Sequence, residues 1–183
     1  MGNQFINSTH IKPINMNEEL IPVAYVISNI VAVIMLACSW KYPNISRLLY
    51  SALFGWACYA NTHAAIQTPH YYLEYAQYAF IGFYVKFING FFEEHITAVV
   101  ISIAVCQLAI ALSMWLRGFL FRMGAVGAIV FLISIAPLGI GSAFPCTLIM
   151  AGGLLLLLRR KVVGFLIHDL LVRGKSEEST ELL

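Results

Sequence analysis

The sequence predicts an all-α, polytopic membrane protein, and two observations carry this prediction. Of its 183 residues, 60% are hydrophobic and only 11% are charged, and the mean hydropathy is +0.81. A soluble domain of this size could not bury so much apolar surface, so the excess must face lipid. The chain also contains several apolar stretches of about 20 residues, the length that a helix needs to cross a bilayer.

Five such stretches predict five transmembrane spans. An N-terminal tail, residues 1–20, precedes the first span, which covers residues 21–40 and contains no charged side chain. The other four spans are expected at residues 46–66, 96–116, 119–141 and 144–158. The last span is short, so we expect the arginines that follow it to reach the headgroups along the helix axis. A second tail, residues 162–183, ends the chain.

The distribution of basic residues predicts the orientation of these spans. If the C-terminal tail is cytoplasmic, nine of the 11 Lys and Arg residues lie on the cytoplasmic side, and only Lys12 and Lys86 lie outside. The positive-inside rule then predicts a multi-pass protein of the inner (plasma) membrane with its N-terminus out and its C-terminus in. Five acidic residues fall on the outer side: Glu18, Glu19, Glu74, Glu93 and Glu94. Because the positive charge is sorted by membrane side, it does not indicate a nucleic-acid partner.

The stretch HYYLEYAQYAFIGFYVKFINGFFEEH, residues 70–95, holds ten of the chain's 24 aromatic residues. On a helical wheel of residues 71–92, the phenylalanines fall on one face, while tyrosines and charged residues fall on the other. Tyrosine combines an apolar ring with a hydroxyl that prefers water, so this sorting predicts an interfacial or re-entrant helix on the outer face, with Gly82 as the candidate for a break. This helix is either a structural aromatic belt or a cap over a pocket for a quinone or another flat apolar ligand.

Polar side chains near the outer ends of the spans are the candidate ligand contacts. His63 lies near the outer end of the second span, and Glu94 begins the third. His63 could donate a hydrogen bond to a carbonyl or quinol oxygen, and Glu94 could accept a proton. The candidate set also includes neighbours of His63 and Glu94 in the sequence, one residue at the centre of the third span, and one from the aromatic stretch 70–95. It consists of His63, Asn61, Glu94, His95, Gln107 and Tyr84.

Each of these groups also has a purely structural interpretation. Asn29 and Gln107 lie near the centres of the first and third spans, where either could form a hydrogen bond between helices. Glu93 and Glu94 could lie at a helix N-terminus because the helix dipole favours negative charge there. The histidines could be ordinary residues of the membrane interface. The pattern therefore assigns no catalytic residue.

The sequence gives little support for a metal site or for thiol chemistry. The four cysteines form no CxxC pair and no Cys/His zinc spacing, so we interpret them as small apolar side chains. His70 and Glu74 are four residues apart, but Pro69 separates them from His63, and no third ligand completes a metal-binding pattern. No histidine lies at mid-depth in a span, as haem would require, and no span has a charged residue at its midplane, as coupled transport would.

Three stretches resemble the DoxX-like membrane proteins, a family that includes MauE-type relatives. They are RLLYSALFGWACYANTHAAI, LEYAQYAFIGFYVKFINGFFEEH and RMGAVGAIVFLISIAPLGIGSAFPCTLIMAGGLLLLLRR. The most specific part is PLGIGSAFPCTL, residues 137–148, a Gly/Pro turn between the last two spans. The resemblance covers residues 46–161 and implies a four-helix transmembrane bundle there, with residues 21–40 as one extra N-terminal span. It also implies a role beside respiratory or redox enzymes, since relatives include the membrane subunit of a thiosulfate:quinone oxidoreductase.

Together these observations predict a quinone-interacting or accessory subunit of a membrane redox system. The expected cofactor is a quinone, and the expected partners are the lipid bilayer and a membrane oxidoreductase subunit. Two alternatives remain: a non-catalytic bundle that binds a small molecule or lipid, and a structural subunit. The structural subunit would pack against a partner or a second copy through the glycines Gly124, Gly127, Gly152 and Gly153.

Overall fold

The computed structural model describes residues 16–160 and residue 166, with side chains from residue 23 onward, and most of these residues are helical. Six α-helices follow one another without an intervening strand in that part of the chain. They are α1 (Met16–Lys41), α2 (Pro43–Gln67), α3 (Gly82–Phe87), α4 (Ile96–Ser113), α5 (Gly118–Ile135) and α6 (Cys146–Arg159). The predicted all-α class is confirmed for these residues.

Three helical stretches are long and apolar enough to cross a membrane, which agrees with a membrane protein. They are Val23–Lys41 in α1, Ile96–Ser113 in α4, and Gly118–Ser142, which is α5 with the turn after it. The other two predicted spans differ from these in opposite ways. α2 has 25 residues but carries Arg47, Asn61 and His63, whereas α6 is strongly apolar but only 14 residues long. Their status as spans stays a prediction.

The long helices alternate in direction. α2 and α4 are antiparallel, because Ser51 Oγ donates to Ala111 O near one end while Thr97 Oγ1 donates to Ala65 O near the other. The chain reverses again between α4 and α5, where Gly124 packs directly against the side chain of Ser113. An up-and-down order of this kind follows from short connections between consecutive helices.

α1 runs beside α6 in the same direction. Asn29 of α1 contacts the carbonyl of Ala143 before α6 begins, and the carbonyl of Trp40 accepts a hydrogen bond from Arg160 after α6 ends. The turn from α1 into α2 consists of Tyr42 alone. Residues on either side of that turn, Ser39 and Ser46, share a buried hydrogen bond of 2.7 Å between their hydroxyls.

The two ends of the bundle carry opposite charge in the described part of the chain. One end contains the α1–α2 turn, the α4–α5 turn and the end of α6; we call it the basic end, because Lys41, Arg47, Arg117, Arg159 and Arg160 lie there. The other is the acidic end, which holds Glu74, Glu93 and Glu94 together with Lys86. This separation is what the predicted orientation requires, although the orientation itself is still a prediction.

Two clusters of buried apolar side chains form the core. The larger cluster joins α1, α2, α4, α5 and α6, and close contacts at small residues make it dense. A Cβ added to Gly153 would collide with the hydroxyl of Tyr50, and one added to Gly124 would collide with Ser113. Gly152, by contrast, has open space beside it. Of the four glycines expected on packing faces, these two therefore make the closest approaches.

The smaller cluster lies at the acidic end, beneath residues 69–95, which we call the aromatic connection. The structure divides the predicted helix 71–92 into a 3-10 helix (Pro69–Gln77), α3, and a π-helical turn (Ile88–Phe92). The first break comes at Ile81, whose backbone is extended, and the π-helical turn has a non-helical Gly90. One helical wheel therefore cannot describe which way the side chains of the whole segment face.

The side chains of the aromatic connection are sorted between the core and the exterior. Tyr72, Ile88 and Phe92 are buried in the smaller cluster, whereas Phe83 and Phe91 are exposed. Exposed phenylalanines at one end of a membrane bundle are suited to contact with lipid near the interface. The inward-facing residues are the ones that position the candidate site.

Candidate functional site

A hydrogen bond between two amide side chains joins α2 to α4. Asn61 Nδ2 donates to Gln107 Oε1 over 2.8 Å, and Gln107 is only 2% exposed. Amide groups in an apolar bundle are costly unless they find partners, so this pair of helices is held together by a bond as well as by packing. The prediction placed Asn61 and Gln107 in one candidate set, and the structure brings these two residues into contact.

Tyr72 extends this pair from the aromatic connection. Its hydroxyl lies 2.9 Å from Asn61 Oδ1 and donates to it, with a longer approach of 3.5 Å to the Asn61 carbonyl. We call Tyr72, Asn61 and Gln107 the polar chain. Its last member uses only its oxygen: Gln107 Nε2 makes no hydrogen bond to any residue described by the structure, and this atom is not fully enclosed. The polar chain therefore ends in an available N–H donor.

Aromatic rings surround the tyrosine end of the polar chain. Tyr72 meets Tyr75 and Phe92 edge-on, with ring centroids 5.9 and 6.4 Å apart. Burial raises the pKa of Tyr72 above its usual value. Burial also raises the pKa of Tyr75 to about 12, with smaller contributions from Tyr71, Tyr72 and Glu74. Because desolvation disfavours the phenolate, both phenols stay protonated at physiological pH, and Tyr72 remains a donor.

The other four candidate residues lie apart from the polar chain. His63 is exposed and packs beside Tyr59, with ring centroids 6.1 Å apart. Glu94 and His95 are exposed as well, and the ring of His95 stacks on Phe91 at 4.7 Å. None of these three side chains forms a hydrogen bond with the polar chain within the described residues.

Tyr84 has a different position from the one expected for a ligand contact. Its hydroxyl donates to the carbonyl of Ser134 over 2.5 Å, so it ties α3 of the aromatic connection to the end of α5. A tyrosine whose hydroxyl is committed to a backbone carbonyl acts as a clamp between two elements. It is well placed to hold the aromatic connection over the bundle.

Tyr72 was not among the residues predicted from the sequence, and the reason is the helix type. A wheel drawn at 100° per residue assumes an α-helix, whereas residues 69–77 form a 3-10 helix with three residues per turn. With that period, Tyr72, Tyr75 and Tyr78 fall on one face. The repeat of tyrosine at every third position, directly after Pro69, is the signal that could have identified this face.

Arg47 is a second polar residue whose role was not predicted. It is fully buried at the basic end, where its Nε donates to Met114 O over 2.9 Å and its Nη2 to Leu116 O over 2.6 Å. Its guanidinium also lies 5.1 Å from the ring centroid of Phe121. The carbonyls at a helix C-terminus attract cations, so Arg47 fixes the turn between α4 and α5.

The described residues offer no obvious metal centre. Within residues 16–160 and 166, no group of three His, Cys, Asp or Glu side chains is arranged to hold a metal ion. The cysteines at positions 38, 58, 106 and 146 are free thiols. The polar chain runs from Tyr72 at the acidic end to Gln107 in the middle part of α4 and is thus the most developed arrangement of polar side chains there; its chemistry is hydrogen bonding.

No protein-family model matches the chain, and no curated protein or solved structure matches it either. The resemblance to DoxX-like proteins therefore stays a prediction. Any functional conclusion depends on the geometry of the chain itself.

Proposed function

We propose that this chain is a quinone-interacting accessory protein of a membrane redox system, and that the polar chain binds the quinone head group. The observation that carries this proposal is the available Nε2 donor of Gln107, whose Oε1 is held by Asn61. This donor has no acceptor among the described residues, and a ligand carbonyl would supply one. The polar chain fixes the direction in which the donor points.

A quinone offers both a hydrogen-bond acceptor for Gln107 Nε2 and an apolar surface for the surrounding side chains. Its carbonyl oxygens accept hydrogen bonds, and its ring and tail are apolar, like the aromatic and aliphatic residues of the smaller cluster. Binding sites of this kind combine apolar walls with a few positioned polar groups. Charged or sugar-like ligands would leave their own polar groups without partners beside these side chains.

The donor and acceptor roles along the polar chain can also be reversed, which favours a quinone over other carbonyl compounds. If both amides rotate by half a turn, Gln107 Nε2 donates to Asn61 Oδ1, and Asn61 Nδ2 donates to the Tyr72 oxygen. The Tyr72 hydroxyl hydrogen then turns toward the Asn61 carbonyl, 3.5 Å away. In this arrangement Gln107 presents Oε1, an acceptor suited to the hydroxyl of a quinol. One set of side chains thus accommodates both redox forms.

These residues support binding rather than turnover. Side-chain amides do not exchange protons at neutral pH, and the raised pKa of Tyr72 keeps its phenol protonated. The exposed His63 and Glu94 make no hydrogen bond to the polar chain. We therefore assign electron transfer to a partner oxidoreductase and quinone binding to this chain.

The ligand extracted from the purified protein tests this proposal. We expect the protein purified in mild detergent to retain ubiquinone or menaquinone, detected by mass spectrometry of the organic extract. Gln107→Leu should reduce the retained quinone about tenfold, the effect of one lost hydrogen bond in an apolar site. The matched control is Ser102→Ala on the same helix, because Ser102 Oγ donates to the Ala98 carbonyl one turn earlier. This variant should retain the wild-type amount.

Other outcomes would contradict the proposal. Retention of phospholipid alone would favour the lipid-binding alternative, and an empty protein that co-purifies with one partner would favour a structural subunit. Equal quinone content in Gln107→Leu and wild type would mean that the quinone binds elsewhere.

We also propose that all five long helices span the inner membrane, with the acidic end outside. The separation of basic and acidic residues between the two ends supports this orientation. In a cysteine-free background, Lys86→Cys should react with a membrane-impermeant maleimide in intact cells. Arg117→Cys should react only after permeabilisation. The reverse pattern would show that the orientation is inverted.

A further inference from the structure

Leu166, a described residue beyond the end of α6, packs against the turn between α4 and α5 at the basic end. Its backbone N–H donates to the Trp115 carbonyl over 3.2 Å, and the residue is fully buried. Trp115 lies between Met114 and Leu116, whose carbonyls accept hydrogen bonds from Arg47. Leu166 and Arg47 therefore bind to consecutive residues of the same turn and lie close to each other.

Several side chains at the basic end are buried although they lie at helix ends. Arg47 is the fifth residue of α2, Phe121 is the fourth residue of α5, and Met114 directly follows α4. None of the three is more than 2% exposed. Since the helices themselves end here, burial of this degree requires another part of the chain to lie across this end of the bundle. The position of Leu166 shows that the chain beyond α6 reaches this place.

The charge of Arg47 adds a chemical requirement to this cover. Its contacts within the described part of the chain are with neutral groups, namely two backbone carbonyls and the ring of Phe121, whose centroid is 5.1 Å away. Every other charged residue described at the basic end is a Lys or an Arg, and the described glutamates lie at the acidic end. Burying a cation is costly unless an opposite charge pairs with it, which directs attention to carboxylates in the chain beyond Leu166.

The sequence after Leu166 holds one acidic residue close to it. Asp169 is three residues from Leu166, and three residues span at most about 10 Å. The other acidic residues of this segment are three glutamates, and the nearest of them, Glu177, is 11 residues from Leu166. A carboxylate also matches the planar fork of a guanidinium, which can donate to both of its oxygens. Proximity and charge therefore favour Asp169 as the partner of Arg47.

We propose that the C-terminal segment, residues 167–183, docks on the basic end of the bundle, and that the Asp169 carboxylate forms a buried ion pair with Arg47. This segment lies outside the described residues, but Leu166 fixes the place from which it continues. Its first residues suit a buried position, because those that flank Asp169 are mostly apolar. The ion pair joins the C-terminal segment to α2 and to the α4–α5 turn, and it is independent of the polar chain and of any quinone.

Removal of the Asp169 carboxylate tests this proposal. Asp169→Asn keeps the shape of the side chain but takes the counter-charge away from a buried guanidinium, so the Tm in detergent should fall by about 5–10 °C. Glu178→Gln, in the same segment, is the matched control and should change the Tm by less than about 2 °C. A wild-type Tm for Asp169→Asn would overturn the proposal, because the counter-charge would then come from a lipid phosphate or from another protein.

A second comparison distinguishes an ion pair from a general contribution of Asp169 to folding. Arg47→Leu leaves the Asp169 carboxylate buried without a cation, whereas Arg47→Leu combined with Asp169→Leu removes both charges. The double variant should therefore have a higher Tm than Arg47→Leu alone. If Arg47→Leu yields no folded protein, the double variant should restore it. A Tm that is lower still in the double variant would mean that the two residues act independently, and the proposal would be wrong.

Discussion

The two ends of this bundle use polar residues in opposite ways. At the basic end, Arg47 is buried and its donors point at the backbone carbonyls of Met114 and Leu116. Trp115 Nε1 donates to Ser51 Oγ, and the Trp115 carbonyl accepts from the backbone N–H of Leu166, which is fully buried. Every one of these bonds closes a turn or joins two elements.

At the acidic end, the corresponding region is irregular and leaves a donor available. The connection between α2 and α4 combines a 3-10 helix, a short α-helix and a π-helical turn. The polar chain begins there with Tyr72 and ends in the middle part of α4 with Gln107, whose Nε2 has no protein partner in the described residues. The difference indicates that the basic end holds the bundle together, whereas the acidic end is suited to bind a ligand.

The largest expected effect is at the basic end. Arg47→Leu removes the hydrogen bonds to the Met114 and Leu116 carbonyls and should reduce the free energy of unfolding by about 3–5 kcal/mol. Arg47→Lys should recover little, because one ammonium cannot reproduce the fork geometry of a guanidinium. Thermal unfolding in detergent measures both variants. Arg122→Leu, an exposed arginine of α5, is the control and should change stability by less than about 0.5 kcal/mol.

A contradictory result would be an Arg47→Leu variant with wild-type stability and reduced quinone content. The basic end would then contribute to binding, and the division of roles between the two ends would be wrong.

The next largest effect on stability is expected for an alanine substitution at one of two adjacent glycines in α6, and the other glycine provides the control. Gly153→Ala places a methyl group against the hydroxyl of Tyr50 and 3.0 Å from Ser39 Oγ. Tyr50 cannot move away easily, because it is fully buried and donates to the Met150 carbonyl at 2.7 Å. We expect a loss of about 1–3 kcal/mol in the free energy of unfolding. Gly152→Ala, one residue away, has open space and should be neutral or slightly stabilising. Equal effects would mean that the α1–α2–α6 contact is not close packed.

The features that the sequence could predict are those that depend on composition over a whole helix and not on local backbone geometry. Apolar stretches identified the long helices, because a helix that faces lipid needs about 20 apolar residues, whatever it packs against. Charge sorting predicted which helix ends lie together. Asn61 and Gln107 were recognisable as candidates, because any amide within an apolar helix needs a partner.

The features that could not be predicted depend on local backbone geometry. Tyr72 faces Asn61 only because Pro69 starts a 3-10 helix, which changes the angular spacing of the tyrosines. Arg47 counted as a marker of the cytoplasmic side, but its burial depends on where the α4–α5 turn places two carbonyls. His63 and Glu94 were grouped by depth along the membrane normal, and depth gives no information on which side of a helix a residue faces.

A smaller effect is expected for Tyr72→Phe at the acidic end. The substitution keeps the ring in the smaller cluster and removes the hydroxyl that orients Asn61. We expect quinone affinity to fall about three- to tenfold, because Gln107 would still offer a donor but its orientation would be less fixed. Stability should change by less than about 1 kcal/mol. Tyr78→Phe is the control, since no hydrogen bond of its hydroxyl to a described residue is present. A Tyr72→Phe variant with unchanged affinity would place the head group outside the polar chain.

The smallest expected effect is a pH dependence confined to the acidic end. Burial raises the pKa of Tyr75 from 10.0 to about 12, so the folded protein holds this proton more tightly than the unfolded chain does. The resulting stability is complete below pH 10 and is lost as the pH rises toward 12, because the unfolded chain ionises first. Tyr75→Phe cannot ionise and should make the fall in Tm between these two pH values shallower than in wild type. The same substitution should leave the loss caused by Arg47→Leu unchanged at neutral pH, since the two residues lie at opposite ends and distant sites contribute independently. If the two substitutions were strongly coupled, the ends would form one cooperative unit, and a ligand at the acidic end would also stabilise the basic end.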